Sequence, residues 1–250
     1  MRKTPVRDAE IVSQVLFAEK VTLIQELESD SLIRTADGYE GWVYSDALIS
    51  ELYQPTMVTC RLSVPVYHQQ SILYAPLFYL PYGVEIRVIE SDSRWHTIEL
   101  PSKEICYIQR GNLIFHHKLN KEDLLPFCFQ FLGIPYLWGG RSSIGSDCSG
   151  FSQMIYFKMG IQIPRDSLPQ SQDSRFQEVE HPQLGDLIFW GESRETISHV
   201  AVSLGNDQFI HASTKEQQPW IRISRLSDSV WNCGPNAAYP FRFFRTLLVD

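Results

Sequence analysis

The sequence predicts an α+β protein in which two small all-β barrels precede a third domain that mixes helices with antiparallel strands. Two observations lead to this prediction. Short strand-like runs separated by tight turns fill the first half of the chain, in two stretches of similar plan. In the second half, segments with helical apolar spacing come first, and strand-like runs follow them. We therefore expect domains at residues 1–52, 53–118 and 119–250.

Three strand-like runs, at residues 19–27, 31–35 and 41–44, predict the first barrel, and Asp37-Gly38 supplies a tight turn before the last run. The tetrapeptide Glu-Ser-Asp-Ser occurs at position 28 and again at position 90, an offset of 62. In both places a β-rich run precedes it, and a second strand and an aromatic-containing strand follow it. The shared context indicates a duplicated unit, and each copy has the length of an SH3-like barrel.

Aromatic residues of the first barrel have an ordinary interpretation. Tyr39 and Trp42 are expected to pack in the core or at the edge of the barrel. At the offset of 62, Trp95 of the second copy stands near the place of Leu32 in the first, where no tryptophan occurs.

The third domain is expected to begin with a helix after a polar linker at residues 112–123. This helix ends at Gly133, and Pro126 fits only within its first turn. Its apolar stripe consists of Leu124, Leu125, Cys128, Phe131 and Leu132.

Cys148 stands where a glycine-rich run meets a second predicted helix, which ends at Gly160. The apolar residues of this helix share one face: Phe151, Met154, Ile155 and Met159. At the first helical turn a thiolate would face unpaired N–H groups and the positive end of the helix dipole, so we expect the pKa of Cys148 to fall below that of a free cysteine. Cys148 is therefore a candidate nucleophile. The pattern alone leaves open the alternative of a small buried apolar residue.

Two histidines lie on the arms of a predicted hairpin, with strands at 197–204 and 208–212 and a three-residue loop between them. A register that places Leu204 opposite Gln208 puts His199 and His211 on the same face as diagonal neighbours. One imidazole would then take the thiol proton while the other fixes its tautomer. The alternative is two independent histidines on a half-exposed strand. The position of Cys148 favours the catalytic interpretation.

Charge and cysteine usage exclude several classes of protein. The formal net charge of -7 argues against a nucleic acid or an anionic membrane surface as the partner. Five cysteines without a C-x-x-C pair argue against a disulfide framework or a zinc knuckle, so we expect a reducing compartment. The adjacent His116 and His117 have no metal-ligand spacing to another Cys or His, and we interpret them as surface residues.

The N-terminus shows no apolar segment typical of a signal peptide, and no run approaches the length of a membrane span. The expected location is therefore the cytoplasm if Met1 is the natural start. A trimmed or otherwise exported chain would act at the cell envelope.

Six motifs follow one another in the third domain: YLWGG at 136–140, DCSGF at 147–151, PRD at 164–166, GDLIF at 185–189, SHVAV at 198–202 and IHAS at 210–213. Together they resemble the NlpC-type papain-like cysteine peptidases of bacterial cell-wall metabolism, over roughly residues 121–245. The resemblance implies a papain-like α+β domain with Cys148 as nucleophile, His199 as general base and His211 as the polar third member. No cofactor is implied.

The same resemblance implies roles around the nucleophile. Tyr136 matches a family tyrosine whose hydroxyl lies near the nucleophile. The backbone N–H of Cys148 is the expected oxyanion donor, in keeping with a helix N-terminus. Asp147 is expected to anchor its loop rather than to take part in the chemistry.

The barrels add a narrower resemblance. The chain is similar to family members that pair SH3-like barrels with this domain and cut γ-D-glutamyl–diamino acid bonds in peptides with a free N-terminal L-Ala. In those enzymes an Asp-Ser pair binds the substrate ammonium, and Asp166 and Ser167 stand at the matching place. Arg165 beside them is also expected to bind substrate. Tyr39 and Glu40 are the expected contributors from the first barrel.

These observations predict a cysteine peptidase that hydrolyses the γ-D-glutamyl–meso-diaminopimelate bond of murein peptides. An N-acetylmuramoyl-L-alanine amidase or an acyltransferase on the same fold is the enzymatic alternative. The alternative from another class is a non-catalytic wall-binding protein, against which the presence of Cys148, His199 and His211 together argues.

Overall fold

The computed structural model describes residues 1–51 and 53–248 and divides into two compact units. The first unit comprises residues 1–117 with 142–144, and the second comprises residues 118–141 with the chain from 145 onward. The expected boundary residue 52 and the last two residues of the expected third domain lie outside the described residues.

The first barrel is built on a three-stranded antiparallel sheet of β1 (Thr22–Glu26), β2 (Asp30–Arg34) and β3 (Glu40–Tyr44), in that order. Arg2 closes it, because its backbone pairs with Trp42 and its buried guanidinium forms an ion pair with Asp30. A buried ion pair is retained where both charges are hydrogen-bonded, as here. The three expected strands are therefore confirmed within one to three residues at each end.

A second group of strands follows: β4 (Met57–Thr59), β5 (Ser63–Val66), β6 (Phe78–Pro81), β7 (Glu85–Ser91), β8 (Trp95–Glu99), β9 (Ile105–Gln109) and β10 (Leu113–Ile114). Five of them form a sheet in the order β10-β4-β7-β8-β9, and β5 pairs with β6. Alternating side chains of these strands fill one apolar core, whose fully buried members include Val64, Val66, Ile86, Ile98 and Ile108.

The two groups share one strand register, but at an offset of 65 rather than 62. Leu23 pairs with Ile33 in the first, and Val88 pairs with Ile98 in the second. Both hairpins carry a β-bulge at the next residue of the first strand, and the following pairs β2–β3 and β8–β9 also match at this offset. The predicted repetition of plan is therefore present in the backbone.

The tetrapeptide that suggested the repeat is misaligned in the structure. Asp30 lies in strand β2, whereas Asp92 lies in a turn and accepts from the backbone N–H groups of Arg94 and Trp95. The structural counterpart of Trp95 is therefore Asp30, and its expected correspondence to the neighbourhood of Leu32 is wrong. Asp and Ser favour turns and strand ends of many kinds, which makes such a short identity uninformative.

The second unit contains three α-helices within the described residues: α1 (Leu124–Phe129), α2 (Cys148–Lys158) and α3 (Ser167–Gln172). The helix α1 stops before the expected Gly133, because the chain tightens into turns in which Phe131 donates to the carbonyl of Cys128. Among the described residues, no helix combines the length and apolar content that a membrane crossing requires.

The strands of the second unit are two short ones, β11 (Arg141–Ser142) and β12 (Gly145–Ser146), and six that form one antiparallel sheet in the order β13-β18-β14-β15-β16-β17. The bounds of these six are Phe176–Val179 (β13), Leu187–Gly191 (β14), Ile197–Gly205 (β15), Gln208–Ser213 (β16), Trp220–Arg225 (β17) and Phe241–Leu247 (β18). Helix α2 packs against β15 and β16. This contact brings the start of α2 to the two strands that carry the histidines.

Candidate active site

The loop before α2 is held by one carboxylate. Asp147 is the N-cap of α2: its Oδ1 accepts from the backbone N–H of Gly150 at 2.7 Å, and its Oδ2 accepts from that of Gly139 at 2.9 Å. A side chain at Gly150 would collide with the carbonyl oxygen of Gly140. The predicted helix start at Cys148 and the anchoring role of Asp147 are confirmed.

Arg165 is part of this anchor, and its expected role in substrate binding stays a prediction. The side chain is buried, with 2 % of the residue exposed, and its Nη2 lies 2.6 Å from Oδ2 of Asp147. The guanidinium also donates to Ser149 Oγ and to the carbonyl of Gly140. A motif can show that an arginine is present, but only the fold shows which way it faces.

His199 and His211 meet in the structure, with His199 Nε2 2.9 Å from His211 Nδ1. The hairpin that joins them differs from the expected one. Its loop has two residues, Asn206 and Asp207, both with positive φ, and Gly205 rather than Leu204 pairs with Gln208. A β-bulge at Leu204 then restores the expected register farther along the strands, so both imidazoles lie on the same face.

Both imidazoles are enclosed by aromatic rings. The Tyr239 ring is nearly parallel to the His199 ring, at 5.8 Å between centroids, and Trp231 packs edge-on against His211 at 4.7 Å. Trp190 and Phe209 complete the enclosure. His199 is 4 % exposed and His211 is fully buried. Such packing fixes the orientation of the ring that a base needs.

Cys148, the candidate nucleophile, lies beside the strand segment that carries His199, the candidate base. The sulfur of Cys148 accepts hydrogen bonds from the backbone N–H groups of Val200, which follows His199 in β15, and of Ser149. Since His211 occupies Nε2 of His199, Nδ1 is the nitrogen left for the thiol. The three candidate catalytic residues therefore form one cluster.

Burial governs the protonation of this cluster. It raises the pKa of Cys148 to about 12, and the Asp147 carboxylate acts in the same direction. Burial, aided by the positive charges of Arg222 and Lys215, lowers the pKa of His199 to about 3. The expected fall in the pKa of Cys148 is therefore wrong, because desolvation of a 9 %-exposed thiol outweighs the helix dipole. The resting site holds a neutral thiol and a neutral imidazole, and a neutral imidazole is what a general base requires.

Ser224 extends the histidine pair and was not identified from the sequence. Its Oγ lies 3.1 Å from Nε2 of His211. If Ser224 accepts the proton of that nitrogen, His211 Nδ1 accepts from His199 Nε2, and His199 Nδ1 is left unprotonated to receive the thiol proton. The opposite direction of donation would leave a proton on Nδ1 of His199 and disable the base. We therefore expect Ser224 to act as a positioning residue.

Replacing Ser224 by alanine is expected to lower kcat about tenfold or more while KM stays within about twofold, because the preferred tautomer is lost and no substrate contact changes. Ser224→Thr should restore most of the rate, and the nitrogen NMR shifts of His199 should report the changed tautomer. The matched control is Ser203→Ala, which removes another buried hydroxyl of the same sheet. An unchanged tautomer in Ser224→Ala would contradict this role.

The buried histidines also predict acid sensitivity of the fold. An unfolded chain protonates His199 below its ordinary pKa of 6.5, whereas the folded chain does so only near pH 3. The free energy of unfolding is therefore highest above pH 6.5. It falls by about 1.4 kcal/mol per pH unit as the pH drops from 6.5 toward 3. Measured by urea denaturation between pH 7 and 4.5, the free energy of unfolding should decline less steeply in His199→Asn than in the wild type. The exposed His181, changed to Asn, is the matched control, and equal slopes in wild type and His199→Asn would contradict the account.

The remaining expected site residues divide between the two units. In the second unit, Tyr136 is half-buried and lies near enough to Cys148 and Asp147 for their charges, after burial, to raise its pKa. Asp166 immediately precedes α3 and Ser167 begins it, and both are half-buried. Tyr39 and Glu40 lie in the first unit, where Glu40 pairs with Arg34 at 2.6 Å. Their roles toward substrate stay predictions.

No cluster of three or more His, Cys, Asp or Glu side chains suited to a metal ion occurs within the described ranges. Besides Ser224, residues missed from the sequence are Arg222, Trp231 and Tyr239. In the sequence they stand out only as aromatic or basic residues far from Cys148. In the structure, strand pairing brings Arg222 close to the histidines, and the segment after β17 brings Trp231 and Tyr239. Arg222 lies directly opposite His211 in the sheet.

A cysteine at a helix N-terminus, packed against a histidine on an antiparallel sheet, defines the papain-like class of cysteine peptidases. Residues 133–234 match the NlpC/P60 family, and residues 1–48 match the family described as bacterial dipeptidyl-peptidase Sh3 domain. The chain therefore carries an NlpC/P60 domain of papain-like fold together with an N-terminal bacterial SH3 domain. The predicted fold class and family are confirmed.

Similar proteins are found among bacterial cell-wall enzymes. A γ-D-glutamyl-L-lysine dipeptidyl-peptidase of Bacillus cereus is 28 % identical over 82 % of this chain and 68 % of that protein. Dipeptidyl-peptidase 6 of Lysinibacillus sphaericus is 29 % identical over 84 % of this chain and 82 % of its own length. A crystal structure of an NlpC/P60 family protein from Bacillus cereus superposes with a TM-score of 0.77 and 25 % identity, covering 88 % of this chain and 78 % of that chain.

Proposed function

We propose that this protein is a cysteine peptidase that hydrolyses the γ-D-glutamyl–meso-diaminopimelate bond of murein peptides with a free N-terminal L-Ala. One observation carries the chemistry: His199 forms a 2.9 Å hydrogen bond with His211, and the next residue of its strand, Val200, contacts the sulfur of Cys148 through its backbone N–H. A buried thiol, a neutral base and an orienting partner are the groups that nucleophilic acyl transfer needs.

The proposed reaction proceeds in two halves. Cys148 attacks the γ-carbonyl carbon as its proton passes to His199, so the two buried charges form together and offset each other. The backbone N–H of Cys148, at the first position of α2, has no acceptor within the helix and donates to the oxyanion. His199 then protonates the departing amine, and water hydrolyses the thioester and restores the thiol.

Two considerations support cleavage of a γ-D-glutamyl bond and recognition of a free N-terminus on the substrate. The relatives named above are dipeptidyl-peptidases, a class that releases dipeptides from a free N-terminus, and one name specifies a γ-D-glutamyl bond. In this chain, Asp166 is the proposed carboxylate for the substrate ammonium, with Ser167 beside it. Tyr39 and Glu40 of the first unit are the proposed additional contacts.

N-acetylation of L-Ala-γ-D-Glu-diaminopimelate is expected to lower kcat/KM at least tenfold to a hundredfold, since a charge-assisted hydrogen bond contributes about 1.5–3 kcal/mol. Asp166→Ala should lower kcat/KM for the free peptide. It should also reduce the difference in kcat/KM between the free and the acetylated peptide. The exposed Asp123, changed to Ala, is the matched control. Equal kcat/KM for both peptides in the wild type would contradict the requirement for an ammonium. Release of the intact L-Ala peptide from a muramyl peptide would identify an amidase.

A further inference from the structure

An exposed cation lies at the edge of the histidine pair. The ammonium of Lys215 lies 5.4 Å from the ring centroid of Tyr239, and that ring packs parallel to His199 at 5.8 Å. These two distances place the ammonium no farther than about 11 Å from the imidazole. The charge of Lys215 also contributes to lowering the pKa of His199.

No acidic side chain among the described residues neutralises this cation. Glu216 follows it in the chain, but its carboxylate is occupied elsewhere. Oε2 of Glu216 lies 3.0 Å from Nη2 of Arg222 and accepts from Trp231 Nε1 at 3.2 Å. Glu216 and Gln217 both have positive φ, which holds this segment in a conformation unusual for non-glycine residues. Lys215 therefore presents an unmatched positive charge beside the base.

The proposed reaction indicates which half of the substrate meets the charge of Lys215. His199 gives its proton to the departing nitrogen, so the departing half of the substrate lies on the histidine side of the scissile bond. Under the proposed function, that half is the diamino acid. Tyr239 packs against the same imidazole and Lys215 lies within about 11 Å of it, whereas Asp166 and Ser167 are assigned to the opposite, N-terminal end of the substrate.

We propose that Lys215 binds the distal carboxylate of the departing diamino acid and thereby favours meso-diaminopimelate over L-lysine; this inference rests on the proposed function. In an extended side chain the distal carboxylate lies roughly 7 Å from the α-nitrogen. Hydrogen bonds of about 3 Å at either end extend this reach to roughly 13 Å, which covers a separation of at most about 11 Å. The α-carboxylate, two bonds from that nitrogen, stays beside the imidazole.

L-lysine differs from meso-diaminopimelate at this position by one group, the distal carboxylate, since both carry an ammonium on the same side-chain carbon. Without that carboxylate, the lysine ammonium meets the ammonium of Lys215 uncompensated. Repulsion between the two ammonium groups disfavours the lysine peptide even where the attraction between Lys215 and the distal carboxylate is weak. Because Lys215 is exposed, solvent and salt screen the contact, and we expect discrimination of about threefold to tenfold.

The test compares kcat/KM for L-Ala-γ-D-Glu-meso-diaminopimelate and L-Ala-γ-D-Glu-L-Lys. In the wild type the diaminopimelate peptide should be preferred, and added salt should reduce the preference. Lys215→Met should bring the ratio near one, and Lys215→Glu should reverse it, while Lys215→Arg retains the preference. The exposed Lys121, changed to Met, is the matched control and should leave the ratio unchanged.

A ratio that Lys215→Met does not change would overturn the inference and leave the proposed function standing, since both peptides would still be cleaved. A wild-type preference for the lysine peptide would overturn it as well. Failure to cleave either peptide would overturn the proposed function and the inference with it.

Discussion

Cys148→Ala and His199→Ala are each expected to lower turnover of the murein peptide about 10⁴-fold or more, without unfolding the protein. Neither residue supplies the nucleophile alone, because the pKa of the thiol is raised to about 12 and only proton transfer to His199 produces the reactive sulfur. His211→Ala should retain more activity, since His211 orients the base and does not exchange protons with substrate.

The measurement is steady-state hydrolysis, with circular dichroism to confirm folding. Cys128→Ala is the matched control, because it removes a second buried thiol from the same unit without touching the cluster. That variant should turn over substrate at the wild-type rate. A Cys148→Ala enzyme within about tenfold of the wild type would exclude the nucleophilic mechanism.

Arg165→Met is expected to lower the free energy of unfolding by about 3–5 kcal/mol, because it leaves the Asp147 carboxylate buried and without its charged partner. Asp147 caps α2 and holds the loop of Gly139, so the nucleophile should also be misplaced in the fraction that remains folded. Urea denaturation near neutral pH measures the first effect, and kcat of the folded fraction measures the second.

Arg194→Met provides the comparison, since the side chains of Arg194 and of its ion-pair partner Glu178 are both about half exposed. We expect a loss of about 1 kcal/mol or less there. If Arg165→Met were as mild as Arg194→Met, Arg165 would not anchor the loop, and the predicted role of Arg165 in substrate binding would become the better account.

Features set by neighbouring residues were predictable from the sequence. The start of α2 was predicted from a glycine-rich run followed by a helical apolar face, and its end from Gly160, whose φ is +83°. Cys148 could therefore be placed at a helix N-terminus without knowledge of the fold. The shared face of His199 and His211 was predicted from a loop of the wrong length. It is present because the β-bulge at Leu204 restores the register that the two-residue loop shifts.

Features set by distant residues were not predictable in this way. The burial that raises the pKa of Cys148 depends on strands β15 and β16, which follow it by some fifty residues. Ser224 and Trp231 reach His211 from later segments, and the direction of Arg165 depends on the position of Asp147. The repeat of the first unit was recognised, but its offset was wrong, because strand register is a pairing between residues and a four-residue identity does not define it.

The most direct test of the central claim is hydrolysis of L-Ala-γ-D-Glu-meso-diaminopimelate in ¹⁸O-labelled water, with the products identified by mass spectrometry. If Cys148 forms a thioester at the γ-carbonyl, the wild type releases the L-Ala–D-Glu dipeptide with one heavy oxygen and unlabelled diaminopimelate, and Cys148→Ala releases neither. Release of alanine, or the labelled dipeptide formed equally fast by Cys148→Ala, would contradict the account.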